Sequence, residues 1–114
     1  MKKRISLLCA CQGRTLAKQI AAKLKPNRVE IIKADISKFR DGEFSLQLKQ
    51  DVQGKVIFIV QRVVVPGTNT HENILEMLLL NSLVSLYKPN KIINVIHYLP
   101  YTRQDRILHK GEGL

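Results

Sequence analysis

The five residues Val56-Ile57-Phe58-Ile59-Val60 are apolar without interruption, and this run constrains the fold more than any other feature. A strand with one wet face alternates apolar and polar side chains. A strand with no wet face must be covered on both sides, which places it inside a sheet flanked by helices. Two further runs, Ile5 to Cys9 and Lys91 to Ile96, read as buried strands of the same kind. Between Thr15 and Lys25 the residues Leu16, Ala17, Ile20, Ala21 and Leu24 recur three and four apart, the stripe of an amphipathic helix. Pro26-Asn27 stops that helix, and Val29-Glu30-Ile31-Ile32 supplies the next strand. The chain therefore opens as strand, helix, strand, the unit of a parallel sheet.

The middle of the chain has a different texture. Phe44, Leu46 and Leu48 alternate with Ser45, Gln47 and Lys49, the period of a strand with one solvated face. Asp41-Gly42 just before it favours a tight hairpin turn, and Gln53-Gly54 turns the chain again. After the loop Val65-Pro66-Gly67-Thr68, Asn69 with Glu72 three residues on has the form of a capping box. The helix it opens carries Ile74, Leu75, Leu78, Leu79, Ser82, Leu83 and Leu86 on its expected apolar face and ends at Lys88-Pro89-Asn90. The sum is one α/β domain of 114 residues, a mostly parallel, helix-flanked sheet with an antiparallel flap hairpin. There is no internal repeat, low-complexity tract or linker.

Charge narrows the partners. Nineteen Lys and Arg against nine Asp and Glu give a formal net charge of +10, which favours an anionic ligand. A nucleic-acid-binding module would gather its cations on one face with stacking aromatics. Here they are spread along the chain, aromatics make up 5% and Trp is absent, so nucleic acid is the weaker reading. No stretch reaches the length of a membrane span. The apolar part of Met1 to Ala10 is too short for a signal peptide and is broken by Gln12-Gly13-Arg14. Cys9 and Cys11 stand too close for an unstrained disulfide and have no metal-ligating neighbours at suitable spacing. These features predict reduced thiols and a cytoplasmic protein.

Two clusters carry chemistry. In open α/β sheets ligands bind at the carboxyl ends of the strands, so the segment following Ile96 is the expected place. It holds Arg103-Gln104-Asp105-Arg106, with forked cationic donors suited to phosphate oxygens, an amide, and a carboxylate able to orient a guanidinium or a hydrated cation. The second cluster, Phe39-Arg40-Asp41-Gly42-Glu43, admits two readings: a plain hairpin turn, or a clip in which a ring stacks on a purine while carboxylates accept hydrogen bonds from its exocyclic amine. Neither a Walker-type loop nor a Gly-x-Gly-x-x-Gly follows a strand, and His71, His97 and His109 lack metal-ligand spacing.

The order of these motifs resembles the amino-terminal half of a ribose-phosphate pyrophosphokinase. The matching segments are Phe39-x-Asp41-Gly42-Glu43, Asp51-Val52-Gln53-Gly54 before Ile57 to Gln61, Asn73-Ile74-Leu75-Glu76, and Tyr98-Leu99-Pro100-Tyr101-Thr102-Arg103-Gln104-Asp105-Arg106. The resemblance implies a fold of phosphoribosyltransferase type and an enzyme that moves a diphosphate from ATP to ribose 5-phosphate, with Mg2+ required. It implies that Arg103 and Gln104 contact ATP, with Asp105 and Arg106 as possible orienting groups. Phe39, Asp41 and Glu43 would hold the adenine of a neighbouring subunit's ATP, so the resemblance also implies a homo-oligomer or assembly with a full-length synthase. Residues 1–114 would then be a single ATP-binding half-domain, with no metal ligand, no catalytic residue and no ribose-5-phosphate domain. Such a chain is expected to be inactive alone, with a non-catalytic regulatory subunit of the same family as the alternative. Ala10-Cys11 replaces the family's usual Gly-Asn after the first strand, and Ser82 and Leu108 stand where acidic residues are common.

Overall fold

A computed structural model describes residues 5–24, 28–98 and 110–111. Among these residues five strands and two α-helices follow in the order β1 (Ile5–Cys9), α1 (Arg14–Lys23), β2 (Val29–Lys38), β3 (Phe44–Leu48), β4 (Val56–Gln61), α2 (Thr70–Ser85) and β5 (Lys91–Ile96). The strands form one sheet in the order β3-β2-β1-β4-β5. The β2–β3 pair is antiparallel, and β1 pairs in parallel with β2 and β4, as β4 does with β5. The uninterrupted apolar run lies in β4, inside the sheet as its composition requires.

Alternation along the strands sorts side chains between two layers. Leu8, Ile32, Ile57 and Ile59 project to one side, where they pack with Leu80 and Val84 of α2 and with Val52. Leu7, Cys9 and Val60 project to the other and are covered by Ala17, Leu16, Ile20 and Ala21 of α1. Each fully buried Leu or Ile contributes about 1.5–3 kcal/mol relative to exposure. Of the stripe expected from Leu16, Ala17, Ile20, Ala21 and Leu24, the first four pack on the sheet, whereas Leu24 lies past the helix end at Lys23 and is 38% exposed.

β2 runs six residues past Ile32, as far as Lys38, so it reaches directly into the flap. There the chain reverses through Arg40-Asp41-Gly42. The Gly42 N–H donates to the Phe39 carbonyl at 2.9 Å, and the Phe39 N–H donates to the Glu43 carbonyl at 2.7 Å. Gly42 takes φ 94°, a conformation open to glycine without Cβ strain. The Asp41 Oδ1 accepts from the Glu43 N–H at 3.0 Å and fixes the turn from inside.

Two expectations are corrected at α2. The face buried against the sheet is Asn73, Glu76, Leu80 and Val84, opposite the leucine-rich stripe expected to be the core side. The helix is apolar on both sides, so hydrophobicity alone does not select a face. The capping box is half formed: the Asn69 Oδ1 accepts from the His71 and Glu72 N–H groups at 2.9 and 3.1 Å. The Glu72 carboxylate turns instead to Lys38, at 2.8 Å.

The β1–α1 connection is tight. A short 3-10 turn, Cys11–Gly13, leads into α1 and brings Gly13 against the end of β4. A Cβ at Gly13 would overlap the Val60 carbonyl oxygen and lie 2.8 Å from its carbon. Because the obstacle is backbone, no side-chain rotation relieves it. Gly13→Ala should cost about 3 kcal/mol or more, read as a lowered midpoint in chemical denaturation, whereas an unchanged midpoint would show that the turn accommodates a methyl group.

Candidate functional site

Strand order reverses around β1: the chain moves outward through β2 and β3, then returns to the far side of β1 as β4 and β5. In a sheet of this kind the crevice at the carboxyl ends of the diverging strands is the ligand-facing edge. Ala10 to Gly13, the loop following Gln61, and His97-Tyr98 after β5 all belong to this edge, and the flap hairpin rises beside it.

A buried polar network ties the edge together. Gln61, the last residue of β4, is fully buried, and its Nε2 donates to the Glu76 Oε2 at 2.9 Å. The same nitrogen lies 3.3 Å from the Arg62 and Asn73 carbonyl oxygens. The Cys11 N–H donates to the Glu76 carboxylate as well. One side chain of α2 thus bridges the ends of β1 and β4. Asn73 extends the network, donating from Nδ2 to the Val63 carbonyl at 3.0 Å and the Thr68 Oγ1 at 2.8 Å. Sequence reading missed all three residues as a group. Their link is tertiary, because Gln61 ends β4 while Asn73 and Glu76 lie on α2, so no spacing along the sequence joins them.

Glu76 is 4% exposed. Burial raises its pKa, opposed by the hydrogen bonds from Gln61 and Cys11. It borders a cleft of about 390 Å³ whose walls include Cys11, Gln12, Lys38, Phe44 and Glu72. The Lys38 ammonium pairs with Glu72 at 2.8 Å and lies 5.5 Å from the Phe44 ring centroid, bracing the base of the flap against α2. Cys9 is buried and Cys11 exposed, both as free thiols. Burial pushes the Cys9 thiol up, against the lowering pull of Arg14, Lys33 and Lys18.

The structure brings Phe39, Asp41 and Glu43 together at the tip of the hairpin, all exposed, with Phe39 at 59%. Arg103, Gln104, Asp105 and Arg106 lie outside the described residues. Among the described residues no group of three or more His, Cys, Asp and Glu is placed to hold a metal ion. None of their helices is long and apolar enough to cross a membrane.

A five-stranded, mostly parallel sheet with one antiparallel hairpin and two covering helices is the architecture of phosphoribosyltransferase-type domains. The solved structures agree. Phosphoribosylpyrophosphate synthetase from Mycobacterium smegmatis superposes with a TM-score of 0.75 at 23% identity, over 90% of this chain and 33% of that one. A hypoxanthine-guanine phosphoribosyltransferase from Bacillus anthracis gives 0.60 at 17% identity, over 82% of this chain and 53% of that one. Residues 5–114 match the family model for the N-terminal domain of ribose phosphate pyrophosphokinase, and the chain belongs to that family. Ribose-phosphate pyrophosphokinase from Campylobacter jejuni is 38% identical over 73 residues, and that from Buchnera aphidicola of Acyrthosiphon pisum is 37% identical over 91. The two alignments cover 64% and 80% of this chain but 23% and 27% of those proteins, so the chain spans about a quarter of their length.

The raised pKa of Glu76 sets a sign for pH dependence. The folded state holds the proton more tightly than the unfolded chain, so this group's contribution to stability is fully present below the unfolded value. It is lost as pH rises through the folded pKa. Glu76→Gln should therefore gain stability relative to the parent chain between about pH 4.5 and neutrality. Melting temperatures of the two chains across that window test this, and a difference that stays flat or moves the other way would contradict it.

Proposed function

We propose that this chain is the ATP-holding part of a ribose-phosphate diphosphokinase and does not complete phosphoryl transfer by itself. The carrying observation is the family match across residues 5–114, joined to a hairpin whose tip exposes an aromatic ring beside two carboxylates. Arg103 would supply paired guanidinium donors to phosphate oxygens, with Gln104 hydrogen-bonding beside it. Asp105 and Arg106 would orient that corner.

On the flap, the Phe39 ring offers a stacking face, and the carboxylates of Asp41 and Glu43 would accept from the exocyclic amine of adenine. The bond from the Glu43 N–H to Asp41 organises this loop before ligand arrives, which lowers the ordering cost of binding. Because these side chains face solvent away from their own sheet, they would serve the nucleotide of a neighbouring protomer, in a homo-oligomer or on a full-length synthase. Mg2+, when bound with the nucleotide, would neutralise charge on its phosphates. The compartment suited to this role is the cytoplasm.

Isothermal titration with ATP tests the reading. Arg103→Ala should weaken binding at least about tenfold, through loss of a charge-assisted bidentate contact. Phe39→Ala should weaken it about five- to tenfold, through loss of stacking. Equal affinity in the parent chain and both variants would overturn the site. A coupled assay for AMP release from ATP and ribose 5-phosphate should show no turnover from the chain alone, and turnover would overturn the half-site reading.

A further inference from the structure

The hairpin of β2 and β3 has two unlike faces. Ile36, Leu46 and Leu48 turn toward α2 and pack on its core. The residues between them are polar, and the register sets them in cross-strand pairs, Asp35 opposite Gln47 and Ser37 opposite Ser45. Both pairs therefore point away from α2, about 7 Å apart along the hairpin. In open solvent such a row would be an ordinary wet face. Here it is walled. Cys11 and Arg14, from the turn that links β1 to α1, close a hollow of about 380 Å³ with Ser37, Ser45 and Gln47. That volume lies at the small end of ligand pockets, which run from about 300 to 1,000 Å³.

The polar groups of this hollow are largely unspent. The side chains of Arg14, Ser37 and Ser45 make no hydrogen bond or ion pair among the described residues. The Lys49 ammonium donates to the Gln47 Oε1 at 3.2 Å and pairs with Asp35 at 3.3 Å. The Gln47 amide nitrogen is left as a donor. Positive charge gathers at the other end. Burial raises the Cys9 thiol's pKa, and Arg14, Lys33 and Lys18 each pull against it, so all three cations lie around the carboxyl end of β1. No aromatic side chain among the described residues lines the hollow.

We propose that this hollow binds a phosphorylated sugar, with Arg14 holding the phosphate and Ser37, Ser45 and Gln47 the sugar hydroxyls. A guanidinium presents two parallel donors to phosphate oxygens. Lys18 and Lys33 add attraction for a dianion at longer range. Serine hydroxyls donate and accept, which suits a ring carrying several hydroxyl groups. A bare phosphate ion would use the cationic end and leave the hydroxyl row without a partner. A nucleotide would bring a base for which the hollow has no stacking surface. The site shares no residue with the groups that hold ATP, so either can fail without the other.

Isothermal titration of the chain with inorganic phosphate, a panel of pentose and hexose monophosphates, and the free sugars tests the assignment. At least one sugar phosphate should bind about tenfold or more tightly than inorganic phosphate, and the free sugars should bind most weakly. Arg14→Ala should weaken the tightest sugar phosphate about tenfold or more, through loss of a charge-assisted contact. Ser37→Ala combined with Ser45→Ala should weaken it while leaving inorganic phosphate unchanged. Lys23→Ala removes the same charge at the far end of α1 and should change neither. Cys11 is the exposed thiol and Cys9 the buried one, so the bound sugar phosphate should slow alkylation of Cys11 by iodoacetamide. A panel in which no sugar phosphate outbinds inorganic phosphate would overturn the proposal. So would full affinity in Arg14→Ala, unchanged alkylation of Cys11, or binding lost in Arg103→Ala, which would put the phosphate at that corner instead.

Discussion

Much of the carboxyl edge of this sheet is organised by a single carboxylate. Glu76 leaves α2, enters a nearly closed space, and accepts hydrogen bonds from the side chain that ends β4 and the backbone that follows β1. Without these donors the buried carboxyl group would be left unsatisfied, and without its acceptor oxygens the strand ends would lose a shared anchor. The switch in strand order falls at this junction, so the network fixes the geometry of the edge at which such sheets bind ligands. Asn73 carries the same constraint into the loop at Val63 and Thr68. On the other half of α2, Asn81 and Asn94 exchange a reciprocal amide pair at 2.8 and 2.9 Å that ties the helix to β5.

The hairpin stands on this frame. Its base is held by the Lys38–Glu72 pair at the start of α2, and its turn by Gly42 and Asp41, while Phe39 and the acidic side chains at its tip remain in solvent. A tip that is exposed and organised by its own hydrogen bonds is what the proposed adenine clip requires. Surface ion pairs such as Lys38–Glu72 contribute little stability, about 0–1 kcal/mol. What this pair does is link the last residue of β2, at the foot of the flap, to the first turn of α2.

The strands were legible because burial on both faces leaves an unmistakable apolar run, as in Val56 to Val60, and a wet face leaves alternation, as in Phe44 to Leu48. α1 was legible because one of its faces is polar. α2 was not, because Leu75, Leu78 and Leu79 outweigh Asn73 and Glu76 on any scale that ranks residues by hydrophobicity alone. Its buried face is chosen by hydrogen bonding to strand ends that are distant in sequence, a tertiary constraint invisible to periodicity. The flap motif was visible as residues in order, and its local geometry followed from Asp-Gly turn chemistry. The Arg103-Gln104 corner was read from the sequence and family resemblance, and it lies outside the described residues.

In the proposed site one protomer supplies the phosphate-holding corner and another the adenine clip. Mixing two defective chains tests it most directly. Arg103→Ala and Phe39→Ala proteins, each weak in ATP binding, are combined, allowed to exchange subunits, and titrated with ATP. If the site is shared across protomers, random mixing restores about a quarter of the sites to parental affinity, since each site draws an intact Arg103 from one protomer half the time and an intact Phe39 from its neighbour half the time. A mixture that binds only as the sum of its two components would show that each site is built within one chain.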